Sequence, residues 1–245
     1  MAKLKMTASV VSQAQLAEGI YDLRLKAPEI ASQAAAGQFV SVYSKDGSRL
    51  LPRPISLCGI DKEAGQLRLV YRVAGAGTEE FSALKAGDTV DILGPLGNGF
   101  SLLEGKKAFL IGGGIGIPPM LQLAKELCAL NGSEMVQSVI GYRDSQLFLK
   151  DEFEAYGPVY TATEDGSRGT KGNVLNAIRE NGLTADVIYA CGPTPMLRAL
   201  KAYAAENNIQ CWISLEEKMA CGVGACLACV CQSKEKDEHS QVHNK

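Results

Sequence analysis

Four of the chain's eight cysteines fall between Cys221 and Cys231, and three of them are spaced C-x4-C-x2-C. Thiolates at Cys221, Cys226 and Cys229 in that spacing suit a [2Fe–2S] cluster of the plant-type ferredoxin kind, which takes a fourth ligand from further along. Gly222, Gly224, Ala225 and Ala228 keep the intervening side chains small, so backbone amides can approach and hydrogen-bond the sulfurs. A disulfide pair or a zinc knuckle are the other readings of these residues. Zinc sites more often use two separated cysteine pairs, and only one tight group is present. No cysteine follows Cys231. The expectation is that the fourth ligand lies beyond Lys245 in a longer chain. Cys231 comes second, and His239 or His243 third. In an extended segment, residues 229 and 231 point to one side about 7 Å apart, so their sulfurs converge only if the chain bends between them.

Three further groups could do chemistry. In Arg53-Pro54-Ile55-Ser56, the arginine fork suits a pyrophosphate and the serine hydroxyl a flavin ring edge. Gly75-Ala76-Gly77-Thr78 opens a short helix whose free amides would form an anion site, although Glu79 and Glu80 in its first turn would oppose a phosphate. The bland reading is a helix capped by Thr78, with the acids complementing the dipole. Gly112-Gly113-Gly114-Ile115-Gly116 follows an apolar run and precedes a helix, a turn that lets backbone approach phosphates. It departs from GxGxxG and does not by itself identify a dinucleotide site. Cys191-Gly192-Pro193-Thr194-Pro195-Met196 stands at the end of another apolar run, where open parallel sheets bind ligands. Cys191 alone could equally be an inert buried thiol.

The elements that must position these groups fall into two patterns. Residues 20–27, 37–44 and 66–73 alternate polar and apolar side chains between turn residues, which predicts a small antiparallel barrel or sandwich. From residue 103 the pattern changes to buried strands alternating with helices. Strands are expected at 107–111, 136–142, 159–163 and 185–190, and a helix at 194–207. Leu123, Leu127 and Leu130 share one face of the helix after the glycine turn, which Asn131-Gly132 stops. That alternation predicts an open parallel sheet. The division expected is residues 1–102, 103–215 and 216–245.

Composition bounds the class. The 245 residues are 46% hydrophobic and 21% charged, with a formal net charge of −2, so no basic surface for nucleic acid or membrane is expected. No apolar run reaches membrane-spanning length and the start lacks a signal-peptide core. Eight cysteines without an export signal favour reduced thiols and metal or redox work in the cytoplasm. Both histidines, His239 and His243, lie in a charged tail from Lys234 to Lys245 that reads as exposed.

Arg53 to Ser56, Gly77-Thr78, Gly94 to Phe100, Gly112 to Pro119 and Cys191 to Met196 together resemble the ferredoxin–NADP reductase superfamily. With Met219 to Cys231 appended, the chain resembles the electron-transfer subunits of NAD-dependent dihydroorotate dehydrogenases of type B. The resemblance implies a flavin-binding barrel, an open parallel-sheet nucleotide-binding domain and a C-terminal iron–sulfur knuckle. It implies FAD held by Arg53, Pro54, Ile55 and Ser56, by Val70, Tyr71 and Arg72 along its edge, and by Gly77 and Thr78 at phosphate. Ile55 stands where the superfamily often has tyrosine, so aliphatic packing would replace ring stacking. NAD would meet Gly112, Gly113, Gly114 and Gly116 at its phosphates, and Cys191, Gly192, Pro193 and Met196 at nicotinamide. Cys221, Cys226 and Cys229 match three of the family's four cluster ligands. The implied partner is an FMN-containing catalytic subunit that oxidises dihydroorotate, in a hetero-oligomer (a heterotetramer). Electrons would pass from its flavin through the cluster and FAD to NAD, in pyrimidine biosynthesis.

Two other functions fit some of these residues. One is the small FAD/[2Fe–2S] subunit of an NADH-dependent ferredoxin or sulfide-type reductase complex. The other is a non-catalytic zinc-knuckle binding protein. Between NAD and NADP, Asp144 favours NAD, while Arg143 and Arg168 pull toward the 2′-phosphate.

Overall fold

The computed structural model describes residues 3–215, 217–232 and 242–244. The first domain is a closed six-stranded antiparallel barrel in the order β1-β2-β5-β4-β3-β6. Its strands are β1 (Leu4–Ala17), β2 (Ile20–Lys26), β3 (Phe39–Val42), β4 (Arg53–Asp61), β5 (Gln66–Arg72) and β6 (Thr89–Leu96). Two short helices, α1 (Pro28–Ala31) and α2 (Ala76–Ser82), close the barrel's ends. Alternation puts Leu23, Leu25, Leu67, Leu69 and Tyr71 into the barrel core, as their spacing predicts. The Arg53 motif opens β4.

The second domain is a parallel sheet in the order β10-β9-β8-β7-β11-β12. It comprises β7 (Ala108–Gly113), β8 (Val136–Tyr142), β9 (Val159–Thr163), β10 (Thr170–Lys171), β11 (Val187–Cys191) and β12 (Gln210–Ser214). Helices α3 (Pro118–Asn131), α4 (Lys150–Phe153), α5 (Val174–Glu180) and α6 (Thr194–Glu206) connect them. Buried strands such as Ala108–Gly113, apolar along their whole length, need cover on both faces, and the helices supply it. Asn173 caps α5, accepting from the amides of Leu175 and Asn176 at 3.0 and 3.2 Å.

Helix α3 joins the two domains. Met120, Leu121, Leu123 and Leu127 are buried, and Met120, Leu121 and Leu127 share one apolar cluster with Cys58 and Val70 of the barrel. Leu130, expected on that buried face, is 43% exposed in the last turn of α3. Among the described residues, no helix is long and apolar enough to cross a membrane.

After β12 the chain returns to the barrel as the cysteine loop, then forms β13 (Val230–Gln232), paired antiparallel with β14 (Val242–Asn244). The backbones of Cys231 and His243 are partners in that ladder. His239, with the rest of residues 233–241, and Lys245 fall outside the described residues.

Candidate functional site

The barrel's ligand end is built from two neighbours in space, Arg53 and Gly77. A Cβ placed on Gly77 would stand 2.8 Å from Arg53 Nε and 3.1 Å from its Cζ, so the bare glycine backbone makes room for the guanidinium. Arg53 also donates from Nη1 to the carbonyl of Leu51. Pro54 is exposed and Ser56 half-buried, but Ile55 is buried with Leu57 in the barrel core. The strand's two-residue period sends Ile55 inward, so its side chain forms no outer wall for a ring.

Thr78 is the third residue of α2 and not its cap, because the helix already begins at Ala76. Its hydroxyl accepts from the amides of Ala74 at 2.9 Å and Gly75 at 3.3 Å, and donates to the Gly75 carbonyl at 2.9 Å. One donor and two acceptors are thereby all used.

The expected opposition of Glu80 to a phosphate is relieved by the loop after β3. Ser44 Oγ and the Lys45 amide donate to the Glu80 carboxylate, and Arg49 Nη1 donates to it at 2.7 Å. Partial desolvation works against ionisation, but these donors and the Arg49 charge outweigh it and hold Glu80 below the usual carboxylate range. Arg49 Nη1 also donates to the Ala76 carbonyl at 2.8 Å.

On β5, Tyr71 turns into the barrel, where its hydroxyl donates to Gln13 Oε1 at 3.0 Å. Val70 is buried against the second domain and Arg72 is exposed. Only Arg72 of these three reaches the large cleft between the domains.

That cleft, of about 860 Å³, lies beyond the carboxyl ends of the parallel strands. Gly19 and Arg72 line it from the barrel; Gly113, Gly114, Pro193 and Met196 line it from the sheet. Arg143, Asp144 and Glu164 also line it, whereas Arg168 does not. Gly112, Gly116, Cys191 and Gly192 pack beneath its floor. A Cβ on Gly116 would stand 2.4 Å from the Cys191 carbonyl oxygen, and one on Gly113 would meet Met196 Sδ at 2.7 Å. Cys191 itself is 2% exposed. The glycines thus let two strand tips approach while leaving Gly113 and Gly114 open to the cleft.

The start of α3 is a poorer anion site than the glycine turn predicts. Pro118 and Pro119 occupy its first positions and carry no amide hydrogen. The Ile117 and Met120 amides are bonded to the carbonyls of Gly114 and Ile117. Backbone approach at Gly113 and Gly114, rather than a free helix end, is what the turn offers a dinucleotide.

The cysteine loop docks on the barrel. A Cβ on Gly222 would lie 3.0 Å from Ser41 Oγ and 3.2 Å from Leu96 Cδ1, and Lys3 Nζ donates to the Val223 carbonyl at 2.8 Å. Lys3, Ser41 and Leu96 escape sequence reading; a small polar residue alternating among buried ones in β3 is the only trace. Gly222, Gly224 and Leu227 have φ of +68°, +85° and +58° and curl the loop. The amides of Cys226 and Val223 both point at Cys221 Sγ, each at 3.4 Å, and hold that thiol down to about 6. Amides aimed at a thiolate are what a sulfur-ligated cluster requires, so this donor set fits one. Cys229 is buried and Cys226 exposed. Among the described residues, no three metal-binding side chains are gathered into one ligand group.

Comparison with known proteins accounts for all three parts. Residues 7–100 match the oxidoreductase FAD-binding domain and residues 110–202 the oxidoreductase NAD-binding domain. Residues 216–244 match the iron–sulfur cluster binding domain of dihydroorotate dehydrogenase B. The dihydroorotate dehydrogenase B (NAD(+)) electron transfer subunit of Geobacillus sp. (strain WCH70) is 45% identical over 229 residues, covering 91% of this chain and 88% of that one. Its counterpart in Bacillus caldolyticus is 47% identical over 228 residues, covering 91% and 87%. Among solved structures, an NADH-dependent reduced ferredoxin–NADP oxidoreductase superposes with a TM-score of 0.86 at 30% identity, covering 96% of this chain and 84% of that one. A flavohemoglobin from Malassezia yamatoensis, at 19% identity and a TM-score of 0.73 over 86% of this chain and 60% of that one, shares the fold. With FAD-, NAD- and cluster-binding domains in this order, the chain is a flavin and iron–sulfur oxidoreductase and belongs to the family of dihydroorotate dehydrogenase B electron transfer subunits.

Proposed function

We propose that this chain is the electron-transfer half of a dihydroorotate-oxidising complex. An FMN-containing catalytic subunit would supply the electrons, and NAD bound in the interdomain cleft would receive them. The observation that supports it is that all three candidate sites abut one barrel. Arg53 and Gly77 meet at its ligand end, Arg72 reaches the cleft, and Ser41 and Leu96 lie beneath the cysteine loop. Segments 1–102, 103–215 and 216–245 are the natural division of that labour. Among the described side chains, seven cysteines stand outside any disulfide, which supports a cytoplasmic setting.

The chain's own residues do the holding. Arg53 offers a planar fork to a pyrophosphate beside the open backbone of Gly77. Pro54 and Ser56 present the outer face of β4, and Ile55 contributes backbone alone. Gly113 and Gly114 admit a dinucleotide closely, and Pro193 and Met196 give an apolar wall that excludes water. Cys221, Cys226 and Cys229 are the thiolates for a [2Fe–2S] cluster, with Cys221 already supplied with amide donors. Bound FAD supplies the conversion between two-electron and one-electron transfer.

The test separates the subunits. The purified chain should carry FAD and iron and pass electrons from NADH to an artificial acceptor, without oxidising dihydroorotate. Adding the catalytic subunit should couple dihydroorotate to NAD, and Cys226→Ser should abolish that coupling while NADH still reduces the flavin. Dihydroorotate oxidation by this chain alone would sink the proposal. A second reading, the small subunit of an NADH-dependent ferredoxin reductase, is favoured by the 0.86 superposition. Co-purification from the native cell decides between them by the partner recovered.

A further inference from the structure

The two domains meet across β4 and one face of β5. Arg68, Val70 and Arg72 share that face at a two-residue spacing, and each touches the second domain differently. Arg72 stands at the cleft, with Nη2 3.4 Å from where a Cβ of Gly114 would lie. Val70 is buried in the apolar cluster shared with α3. Arg68, at the other end, is only 13% exposed and grips a carboxylate from each domain. Its Nε and Nη2 reach Asp22 of β2 at 2.8 to 3.1 Å, and its Nη1 and Nη2 reach Glu152 of α4 at 2.5 and 2.8 Å. Among the described residues, Arg68–Glu152 is the one ion pair that joins the barrel to the α/β domain. Two hydrogen bonds from barrel amides support it, Ile60 to Gln122 Oε1 near the clamp and Glu18 to Gln146 Oε1 at the cleft, each at 2.9 Å.

We propose that Arg68 is a positioning residue for hydride transfer: by clamping Asp22 and Glu152 together it sets the angle at which the nicotinamide cleft closes on the flavin face of the barrel. Four residues of strand separate Arg68 from Arg72, about 13 Å, so a hinge of about 5° at the clamp shifts the cleft wall by about 1 Å. A shift of that size lowers the rate of a reaction that depends on near contact by about tenfold to a hundredfold. A planar bidentate fork suits this role better than an ammonium, which would hold the two carboxylates without fixing their directions. The inference rests on the placement of nicotinamide in the cleft.

Glu152→Ala tests it cleanly, because Glu152 is 46% exposed and its loss leaves Arg68 still paired with Asp22. In the FAD-loaded protein at saturating NADH, flavin reduction in stopped flow should slow by about tenfold. The long-wavelength absorbance of nicotinamide stacked on flavin should weaken in parallel. FAD content and melting temperature should stay near those of the unaltered protein, and amide exchange at residues 150–153 should speed up. Arg68→Lys, which keeps the charge but not the fork, should give the same slow rate. An unchanged rate and absorbance in Glu152→Ala would overturn the proposal. So would a loss that merely tracks lost FAD or lowered melting temperature, since that is a structural role alone. If the unaltered protein's flavin is not reduced by NADH, the placement of nicotinamide fails instead, a distinguishable result.

Discussion

Gly77 and Arg53 lie 24 positions apart in the chain, yet a single added methyl on one would strike the guanidinium of the other at 2.8 Å. The pair behaves as one binding feature, since the glycine sets where the fork can sit. Gly77→Val should therefore weaken FAD binding about as much as Arg53→Ala. Charge-assisted hydrogen bonds contribute about 1.5–3 kcal/mol, or roughly tenfold to a hundredfold in affinity. Fluorescence titration of the flavin-free protein measures it, and the double variant should bind little worse than either single one. Additive losses would mean the two residues act separately.

Gly116 faces backbone rather than a movable side chain, with the Cys191 carbonyl oxygen 2.4 Å from its missing Cβ. Gly116→Ala must push the turn after β7 away from the tip of β11, an overpacking cost of about 1–3 kcal/mol. The melting temperature should fall and NADH should bind more weakly, while the barrel keeps its FAD. Calorimetry together with an NADH titration checks this, and loss of FAD first would place the damage elsewhere.

Asp144 and Glu164 both line the cleft, and Asp144 Oδ1 also accepts from the Gln146 amide at 2.9 Å. Two acids there should suit a ribose hydroxyl and repel a 2′-phosphate. Asp144→Ser should raise the kcat/KM for NADPH relative to NADH by roughly tenfold, with Arg143 free to meet the phosphate. An unaltered ratio would take Asp144 out of cofactor choice.

Cys58 is fully buried at the seam between domains, and burial pushes its thiol from 9.0 up to about 12. The native protein cannot ionise it at a pH where the unfolded chain can. Stability should therefore fall as pH rises from about 9 toward about 12, through the difference in bound protons. Tyr71 and Tyr142, whose hydroxyls burial also raises from 10.0, act with the same sign at the upper end. Chemical unfolding at pH 8 and pH 10 measures the decline. Iodoacetamide at pH 8 should leave Cys58 unmodified in the folded protein, by mass spectrometry, and modify it after unfolding.

Sequence alone determined the barrel-then-sheet order, the barrel's inward leucines and the cysteine spacing, because each is local: a two-residue alternation, an apolar run, a fixed interval between thiols. It also picked out Arg53 and Gly77 as separate motifs. That they touch was decided by barrel closure, which pairs β4 with β5 and leads straight on to α2. Local pattern misled where a neighbour had the stronger claim. Thr78 was spent on the backbone before its own helix, the Glu80 charge was compensated by a loop 31 to 36 residues upstream, and the two prolines emptied the start of α3. The docking of Gly222 on Ser41 left only a small polar residue in β3 as its trace, and that of Arg68 on two carboxylates from different domains left none. Such contacts join residues 46 to 181 positions apart, and only the packing of whole elements against each other brings them within reach.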